Sequence, residues 1–208
     1  QGAKVIGFDI LFSETSQPDS DRYLAESLKT ADNVVFAETH ATLETDYGLV
    51  ESMIKPLQMF LDAGVHSALV TIPIDSDGVV RQAFSAFQVG LNDTGTSSFS
   101  MKIAKLFSQT QKNFNAEPLQ IDSEKPFLIN YIGPARTIPT VSYYQAIEPG
   151  THLPKGFFKD KIVLVGFSLK ATGELKQVDS YQYPFTNSSA LIAGVEIHAN
   201  IIDTLLRN

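Results

Sequence analysis

The chain has 208 residues, no cysteine and a formal net charge of −7. Hydrophobic residues make up 43% and charged residues 19%, which indicates an ordinary folded protein with one substantial core. The lack of cysteine excludes thiolate catalysis, cysteine-ligated metals and structural disulfides. Because no stretch gathers Lys and Arg into a patch, nucleic acid is not an expected partner.

The sequence contains no run of about 18 apolar residues that could span a bilayer, and its start lacks the regions of a signal peptide. It nevertheless enters an apolar strand pattern almost at once and ends just after an apolar helix pattern. We therefore expect the chain to be a segment of a longer protein.

The first third of the sequence predicts a strand, a helix and a second strand in parallel order. The apolar run 5–12, broken only by Asp9, is typical of a strand covered on both faces. A helix follows, with Asp19 or Ser20 as its cap and an apolar stripe made by Tyr23, Leu24, Leu28 and Ala31. The second strand is expected over 34–37, and the polar stretch 40–48 is expected to be a mobile loop. A short helix over 57–63 ends at Gly64.

The middle of the chain predicts a β-hairpin over 68–72 and 79–87 around the turn 75–78. An amphipathic helix then carries the stripe Phe99, Ile103, Leu106 and Phe107. A fourth core strand is expected over 127–131, and the proline-rich stretch 133–154 predicts turns with one helical turn at 143–147. The last two elements are a buried strand over 161–166 and an apolar helix over 194–206. The predicted fold class is α/β, a single domain with a central mixed β-sheet flanked by helices.

Two kinds of metal site can be considered, and neither is favoured. The turn Asp75-Ser76-Asp77-Gly78 offers hard oxygen ligands, but the calcium-loop pattern does not continue into Val79, so a plain turn is preferred. The histidines are widely separated, at His40, His66, His152 and His198. No metal site and no cofactor are predicted. His198 lies inside an apolar helix, where a satisfied histidine is the commoner outcome and a ligand contact or pH-sensitive role is the alternative.

Acidic residues after the first strand could line a crevice at the end of an α/β sheet. These are Glu14, Asp19 and Asp21, although helix capping explains the two aspartates more simply. The sequence has no nucleophile elbow, phosphate loop or dinucleotide fingerprint. No catalytic residues are therefore predicted.

Five separate segments, in this order, resemble the second class of CHASE domains. They are GAKVIGFDILF at 2–12, DGVVR at 77–81, INYIGP at 129–134, KIVLVG at 161–166 and GVEIHANIIDTLL at 194–206. The resemblance spans essentially the whole chain. It departs from the family pattern in the stretch after Gly166, where Asp179 and Pro184 can fill the acidic and proline positions but 172–182 is unusual.

The resemblance implies that residues 1–208 form an extracytoplasmic sensor domain of a membrane-anchored bacterial signalling protein. Transmembrane helices would flank the domain, and the cytoplasmic output would be a histidine kinase, an adenylate or guanylate cyclase, or a serine/threonine kinase. The domain itself is not expected to be an enzyme. The expected partners are an unidentified small-molecule or protein signal, the membrane through flanking helices outside this chain, and a second copy in a homodimer.

Polar residues inside apolar segments need partners, and they are the candidate ligand-binding or structural positions. They are Asp9, Asp77, Arg81, Asn130, Asp179 and His198. Internal hydrogen bonds are favoured for most of them, and an internal ion pair of Arg81 with Asp77 or Asp9 is favoured over an anionic ligand. Two other functions stay open: a dimerising spacer, and a hydrolase using Glu14 and Asp19.

Overall fold

The computed structural model describes residues 2–45, 48–88, 95–111, 125–168, 179–185 and 191–207. Within these residues the strands are β1 (Val5–Asp9), β2 (Val34–Thr45), β3 (Gly48–Ile54), β4 (His66–Leu69), β5 (Gln82–Ala83), β6 (Ala86–Phe87), β7 (Thr96–Ser97), β8 (Phe127–Leu128), β9 (Ile162–Gly166), β10 (Ser180–Tyr181) and β11 (Ile192–Ala193). The helices are α1 (Pro18–Leu28), α2 (Gln58–Asp62), α3 (Phe99–Thr110), α4 (Tyr143–Ile147), α5 (Pro149–His152) and α6 (Gly194–Arg207).

The centre of the fold is a mixed five-stranded sheet in the order β3-β2-β1-β9, with β4 also paired to β2. Strands β1, β2, β4 and β9 run parallel to their neighbours, and only β3 is antiparallel. The predicted parallel unit of β1, α1 and β2 is confirmed, as is the α/β fold class. The parallel strands share a carboxyl edge, where β1 ends at Asp9, and an amino edge, where β1 begins at Val5. Strand β9 is at the border of the sheet, so its residues are half-buried rather than buried as predicted.

The predicted mobile loop over 40–48 is wrong, because residues 40–45 belong to β2 and Gly48 begins β3, which pairs with β2. The pairing runs from Thr39 opposite Ile54 to Thr45 opposite Gly48. Its polar composition suggested a loop, but β-branched Thr39, Thr42 and Thr45 suit an exposed strand.

The predicted hairpin over 68–72 and 79–87 is also wrong in its pairing. The turn itself forms, since the Gly78 N–H donates to the Asp75 carbonyl over 2.8 Å and Gly78 has a φ of 84°. However, β4 joins the central sheet beside β2, while β5 pairs with β8. The predicted core strand over 127–131 is reduced to β8, where Leu128 is 72% exposed.

Helices cover both faces of the central sheet. One face packs α1 and α2 against aromatic residues of the strands, with Phe36 and Phe60 both buried. The other face packs α3 and α6, and α3 crosses directly over Gly7, where a Cβ would lie 2.5 Å from Ile103 Cδ1. The predicted helices α3 and α6 and the helical turn α4 are confirmed. Alternating side chains of the strands thus fill two separate cores.

Helix α6 runs from the carboxyl edge of the sheet to its amino edge. At its start Val195 touches Gly166, the last residue of β9, where a Cβ would lie 2.7 Å from Val195 Cβ. Farther along, Ile202 packs in one cluster with Val5, the first residue of β1, and Leu206 packs against the same cluster. The helix therefore connects the two edges of the sheet directly.

Candidate functional site

Two acidic residues distant in sequence meet at the carboxyl edge of the sheet. Asp9 ends β1, and Asp179 lies just before β10. The Asp9 side chain is largely buried, and its Oδ2 has no hydrogen-bond partner among the residues that the structure describes. A buried oxygen without a donor is uncommon in a folded protein, so this pair is the main polar feature of the edge.

The start of α6 holds Asp179 in place. Its backbone adopts a left-handed conformation with a φ of 62°, and its carbonyl accepts a hydrogen bond from the Gly194 N–H over 3.2 Å. The Asp179 carboxylate also accepts a hydrogen bond from the Tyr181 hydroxyl. A non-glycine residue at positive φ is uncommon, and aspartate tolerates it better than most residues do. The carboxylate is thus fixed between the first residue of α6 and the aromatic ring of β10.

The environment of these groups favours their neutral forms. Burial, and then the charge of Asp179, raise the pKa of Asp9 from 3.8 to about 7. Burial also raises the pKa of Asp179, although the hydrogen bond from Tyr181 opposes that shift. The pKa of Tyr181 rises to about 12 through burial and the Asp179 charge. The cluster of Asp9, Asp179 and Tyr181 therefore changes its charge near neutral pH.

A cavity of about 380 Å³ opens between the segment that follows β1 and the start of α1, and its lining includes none of Asp9, Asp179 and Tyr181. Its volume is within the range of small-molecule sites. The lining combines apolar side chains with hydroxyls and two carboxylates: Ile10, Leu11, Phe12, Ser13, Glu14, Ser16, Ser20, Asp21, Leu24 and Phe60. Ile10 and Leu11 are 40% and 43% exposed, so the apolar part of the wall is accessible.

The start of α1 differs from the predicted cap. The helix begins at Pro18 after Gln17, which makes no side-chain cap hydrogen bond. Asp21 instead accepts hydrogen bonds from the backbone N–H and the hydroxyl of Ser16, at 2.9 and 3.2 Å, and so shapes the cavity wall. Asp19 points outward to Arg22 with its side chain 97% exposed. Glu14 and Asp19 therefore do not converge, and Tyr23, expected in the apolar stripe, is 77% exposed.

The turn carrying Asp77 and Arg81 closes on itself through ion pairs. Arg81 donates to Asp77 over 2.9 and 2.7 Å and to Asp75 over 2.8 Å. The predicted internal pair with Asp77 is thus present. These contacts hold the pKa of Asp77 at about 2. The turn lies beside β10, since the Val80 N–H donates to the Gln182 carbonyl over 2.9 Å.

Asn130 and His198 lie apart from the acidic pair. Asn130 is exposed, and its backbone N–H donates to the Thr204 hydroxyl over 3.0 Å. His198 is buried between α3 and α6, with Nδ1 2.9 Å from the Ser100 hydroxyl. Burial lowers the pKa of His198 to about 4, although a hydrogen bond to the Val70 backbone opposes the shift. This histidine is neutral at physiological pH and joins two helices.

Sequence reasoning missed several residues that build the carboxyl edge. Tyr181 and Ser16 bond to acidic residues only two and five positions away, and Gly194 contacts Asp179 from the start of α6. The usable signal was the acidic residue followed by a proline before the closing helix, which pointed to Asp179. Much of the unusual stretch 172–182 lies outside the described residues.

Among the described residues, no group of three or more histidine or acidic side chains is placed to hold a metal ion. In that same part of the chain, no helix has the length and apolar character needed to cross a bilayer.

These features define an α/β domain with a polar cluster and an open cavity at the carboxyl edge of its sheet. A comparison with family models matches the CHASE2 domain over residues 1–208, so the chain belongs to the CHASE2 family. CHASE2 domains are extracellular sensory domains of receptors with kinase or cyclase outputs, and they are not catalytic. A search of curated proteins and a search of solved structures each found no match.

Proposed function

We propose that this chain is the extracytoplasmic sensor of a membrane-anchored bacterial receptor and that its carboxyl edge receives the signal. The output would be a histidine kinase, an adenylate or guanylate cyclase, or a serine/threonine kinase on the other side of the membrane. The observation that carries the proposal is the path of α6. It begins at the acidic pair of the carboxyl edge and ends at the amino edge, where β1 begins.

A sensor must convert binding into a change at its membrane-proximal end. Val195 and Gly194, at the start of α6, contact Gly166 and Asp179, so a shift of either neighbour would move the helix. Membrane helices joined to β1 and α6 would both lie at the amino edge. A ligand drives such a change only if it binds the two arrangements with different affinity.

The cavity indicates what chemistry a small-molecule signal would have. Its apolar wall would cover a hydrocarbon or ring portion, while Glu14 and the hydroxyls of Ser16 and Ser20 would bind a cationic or hydroxylated group. We therefore propose an amphipathic small molecule as the signal.

Thermal unfolding of the 208-residue chain against a library of metabolites, ions and peptidoglycan fragments tests this proposal. A ligand that binds only the folded state, present at 100 times its Kd, adds about 2.7 kcal/mol of stability and raises Tm by roughly 5–10 °C. Two matched variants then locate the site, because Ser20 and Ser27 are both exposed serines of α1. Only Ser20 lines the cavity.

Ser20→Phe is expected to abolish the ligand-induced rise in Tm, and Ser27→Phe is expected to retain it. A rise that survives Ser20→Phe would place the ligand outside the cavity. If no compound raises Tm, the signal is a partner protein or the domain is a dimerising spacer. Analytical ultracentrifugation separates those two, because a spacer must form a stable homodimer on its own.

The location is tested on the full-length receptor in intact cells and spheroplasts. An extracytoplasmic domain is cleaved by protease added outside spheroplasts, whereas a cytoplasmic control protein survives. Survival of the domain under those conditions would contradict the proposed location.

A further inference from the structure

The amino edge of the domain carries a cluster of lysines brought together from two distant segments. They are Lys4, next to β1, and Lys155, Lys159 and Lys161, which precede β9. The segments are tied by backbone hydrogen bonds from Lys4 N–H to the Lys161 carbonyl and from Asp160 N–H to the Gly2 carbonyl, both 2.9 Å long. No basic patch was predicted from the sequence, because these lysines come together only when β1 pairs with β9.

The charge of this cluster contrasts with that of the whole chain. Four lysines and Asp160 carry a net charge of +3, while the chain has −7. Asp160 is paired with Lys4 over 3.4 Å, which leaves Lys155 and Lys159 as exposed cations. The opposite carboxyl edge holds Glu14 and Asp21, which line the cavity, and the exposed Asp19. The domain is therefore polarised along its strands.

The other charges at the amino edge do not cancel the cluster. Lys29 pairs with Glu26 over 2.7 Å, and Arg207 pairs with Asp203 over 2.7 Å. Asp32 and Lys102 also lie near this edge, where their charges act in opposite directions on the pKa of His66 at the start of β4.

Aromatic side chains lie among the lysines. Phe157 and Phe158 are half-buried in the segment between Lys155 and Lys159, with ring centroids 5.1 Å apart. The Lys161 ammonium lies 4.9 Å above the Phe157 ring and donates to the Phe157 carbonyl. Lysines beside aromatic rings suit a boundary between water and lipid headgroups.

We propose that the amino edge rests on an anionic phospholipid surface through Lys4, Lys155, Lys159 and Lys161. The inference rests on the proposed function, in which membrane helices join the domain at this edge. Each lysine near an anionic membrane contributes about 1 kcal/mol, which is a factor of about five in binding. The contact would hold the domain upright, with its cavity and acidic pair facing away from the membrane.

Vesicle co-sedimentation of the 208-residue chain tests the proposal, with phosphatidylglycerol and phosphatidylcholine vesicles compared at low and physiological salt. The wild-type chain is expected to sediment with phosphatidylglycerol vesicles only, and less so as salt increases. Lys155→Glu/Lys159→Glu is expected to lower the partition coefficient at least 25-fold. The neutral variant Lys155→Gln/Lys159→Gln should lower it about 25-fold.

The matched control is Arg22→Glu/Lys55→Glu, which makes the same change in net charge. Both residues are exposed, and they lie toward the carboxyl edge, since Arg22 is near the start of α1 and Lys55 follows β3 near the contact of Leu57 with Phe12. This control should bind vesicles as the wild type does. Equal loss in both charge-reversed variants, or equal binding to phosphatidylcholine, overturns the proposal. The ligand-induced rise in Tm needs no lipid, so the sensor proposal is judged separately.

Discussion

Gly194 lies directly against the carboxylate of Asp179. A Cβ at Gly194 would be 2.3 Å from Asp179 Oδ1 and 2.6 Å from Oδ2, closer than real side chains approach. The glycine thus allows the first turn of α6 to reach the acidic pair. The contact links the end of the helix to the carboxyl edge of the sheet.

Gly194→Ala is expected to destabilise the domain by about 2 kcal/mol, because the added methyl group must displace a carboxylate fixed by Tyr181. Chemical denaturation of the two proteins measures the difference. Gly150→Ala is the control, since a Cβ at Gly150 meets no atom within 4 Å. Equal stability of the Gly194→Ala and Gly150→Ala variants would contradict the tight contact.

Much of the fold could be predicted from the sequence because its main elements have strong hydrophobic patterns. The apolar run that includes β1 is typical of a buried strand, and the apolar stripe of α3 repeats with the period of an amphipathic helix. The β2–β3 hairpin was not predicted in this way, because the polar residues in the second half of β2 hide the strand pattern, although the pairing of Thr45 with Gly48 is local. The turn at Asp75 was visible locally, but the partner of β4 depends on the whole sheet.

The sequence identified individual residues of the candidate site but not which of them lie close together. Asp9 was identified as the polar residue within an apolar strand, and Asp179 as the acidic residue before the closing helix. Their proximity depends on β1, β9 and α6 packing together, which no local pattern encodes. A crevice lined by Glu14, Asp19 and Asp21 was considered from the sequence, and Glu14 and Asp21 do line the cavity. The contribution of Phe60 was not predicted, because Phe60 reaches the cavity from another helix.

Asp9 is expected to make stability fall as pH rises through neutrality. Its pKa is about 7 when folded and 3.8 ordinarily, so the folded state binds the proton more tightly. That stabilisation is complete below about pH 4 and is lost as pH rises through 7. Asp9→Asn introduces an amide that has the shape of the protonated carboxyl group and does not ionise. At pH 8 the variant should therefore be more stable than the wild type, by on the order of 2 kcal/mol.

The pH profile must be compared between the two proteins because His198 acts in the opposite direction. Its folded pKa is about 4 against 6.5 ordinarily, so its contribution is lost as pH falls from about 6.5 through 4. Urea unfolding of wild type and Asp9→Asn at several pH values from 4 to 8 gives the difference, in which the histidine cancels. A difference independent of pH would show that Asp9 ionises normally.

Arg81 is expected to control the ionisation of Asp77 rather than to bind a ligand. Its two hydrogen bonds are the largest cause of the low Asp77 pKa, about 2. Arg81→Ala should move that pKa toward 3.8, as measured by NMR titration of the side-chain carboxyl group. The low pKa means that Asp77 stabilises the fold above its ordinary pKa and that this stabilisation is lost as pH falls through 2. Arg81→Ala should therefore reduce stability at pH values above that range.

Arg22→Ala is the control for this titration, because Arg22 pairs with Asp19 and not with the turn. It should leave the Asp77 pKa unchanged. The thermal response to any ligand of the cavity should also survive Arg81→Ala. A loss of that response with an unchanged Asp77 pKa would instead assign Arg81 to a binding site.

Ser100 is expected to stabilise the interface between α3 and α6 through His198. The serine hydroxyl lies 2.9 Å from Nδ1 of a ring that is 3% exposed, and the ring is also hydrogen-bonded to the Val70 backbone. With one ring nitrogen bonded to Val70, Ser100→Ala leaves Nδ1 buried without a donor. An unsatisfied buried group costs about 1–3 kcal/mol, so stability should fall by about 2 kcal/mol.

Ser108→Ala provides the matched comparison on the same helix, because that hydroxyl donates to the Ala104 carbonyl within α3 and makes no interhelical bond. Ser108→Ala should lower the free energy of unfolding by less than about 0.5 kcal/mol, since the Ala104 carbonyl keeps its backbone hydrogen bond within the helix. Nitrogen-15 NMR of His198 adds a readout beyond stability: Ser100→Ala should shift the Nδ1 resonance, whereas Ser108→Ala should not. Equal effects of the two variants on both measurements would show that His198 does not depend on Ser100 to join the two helices that flank the sheet.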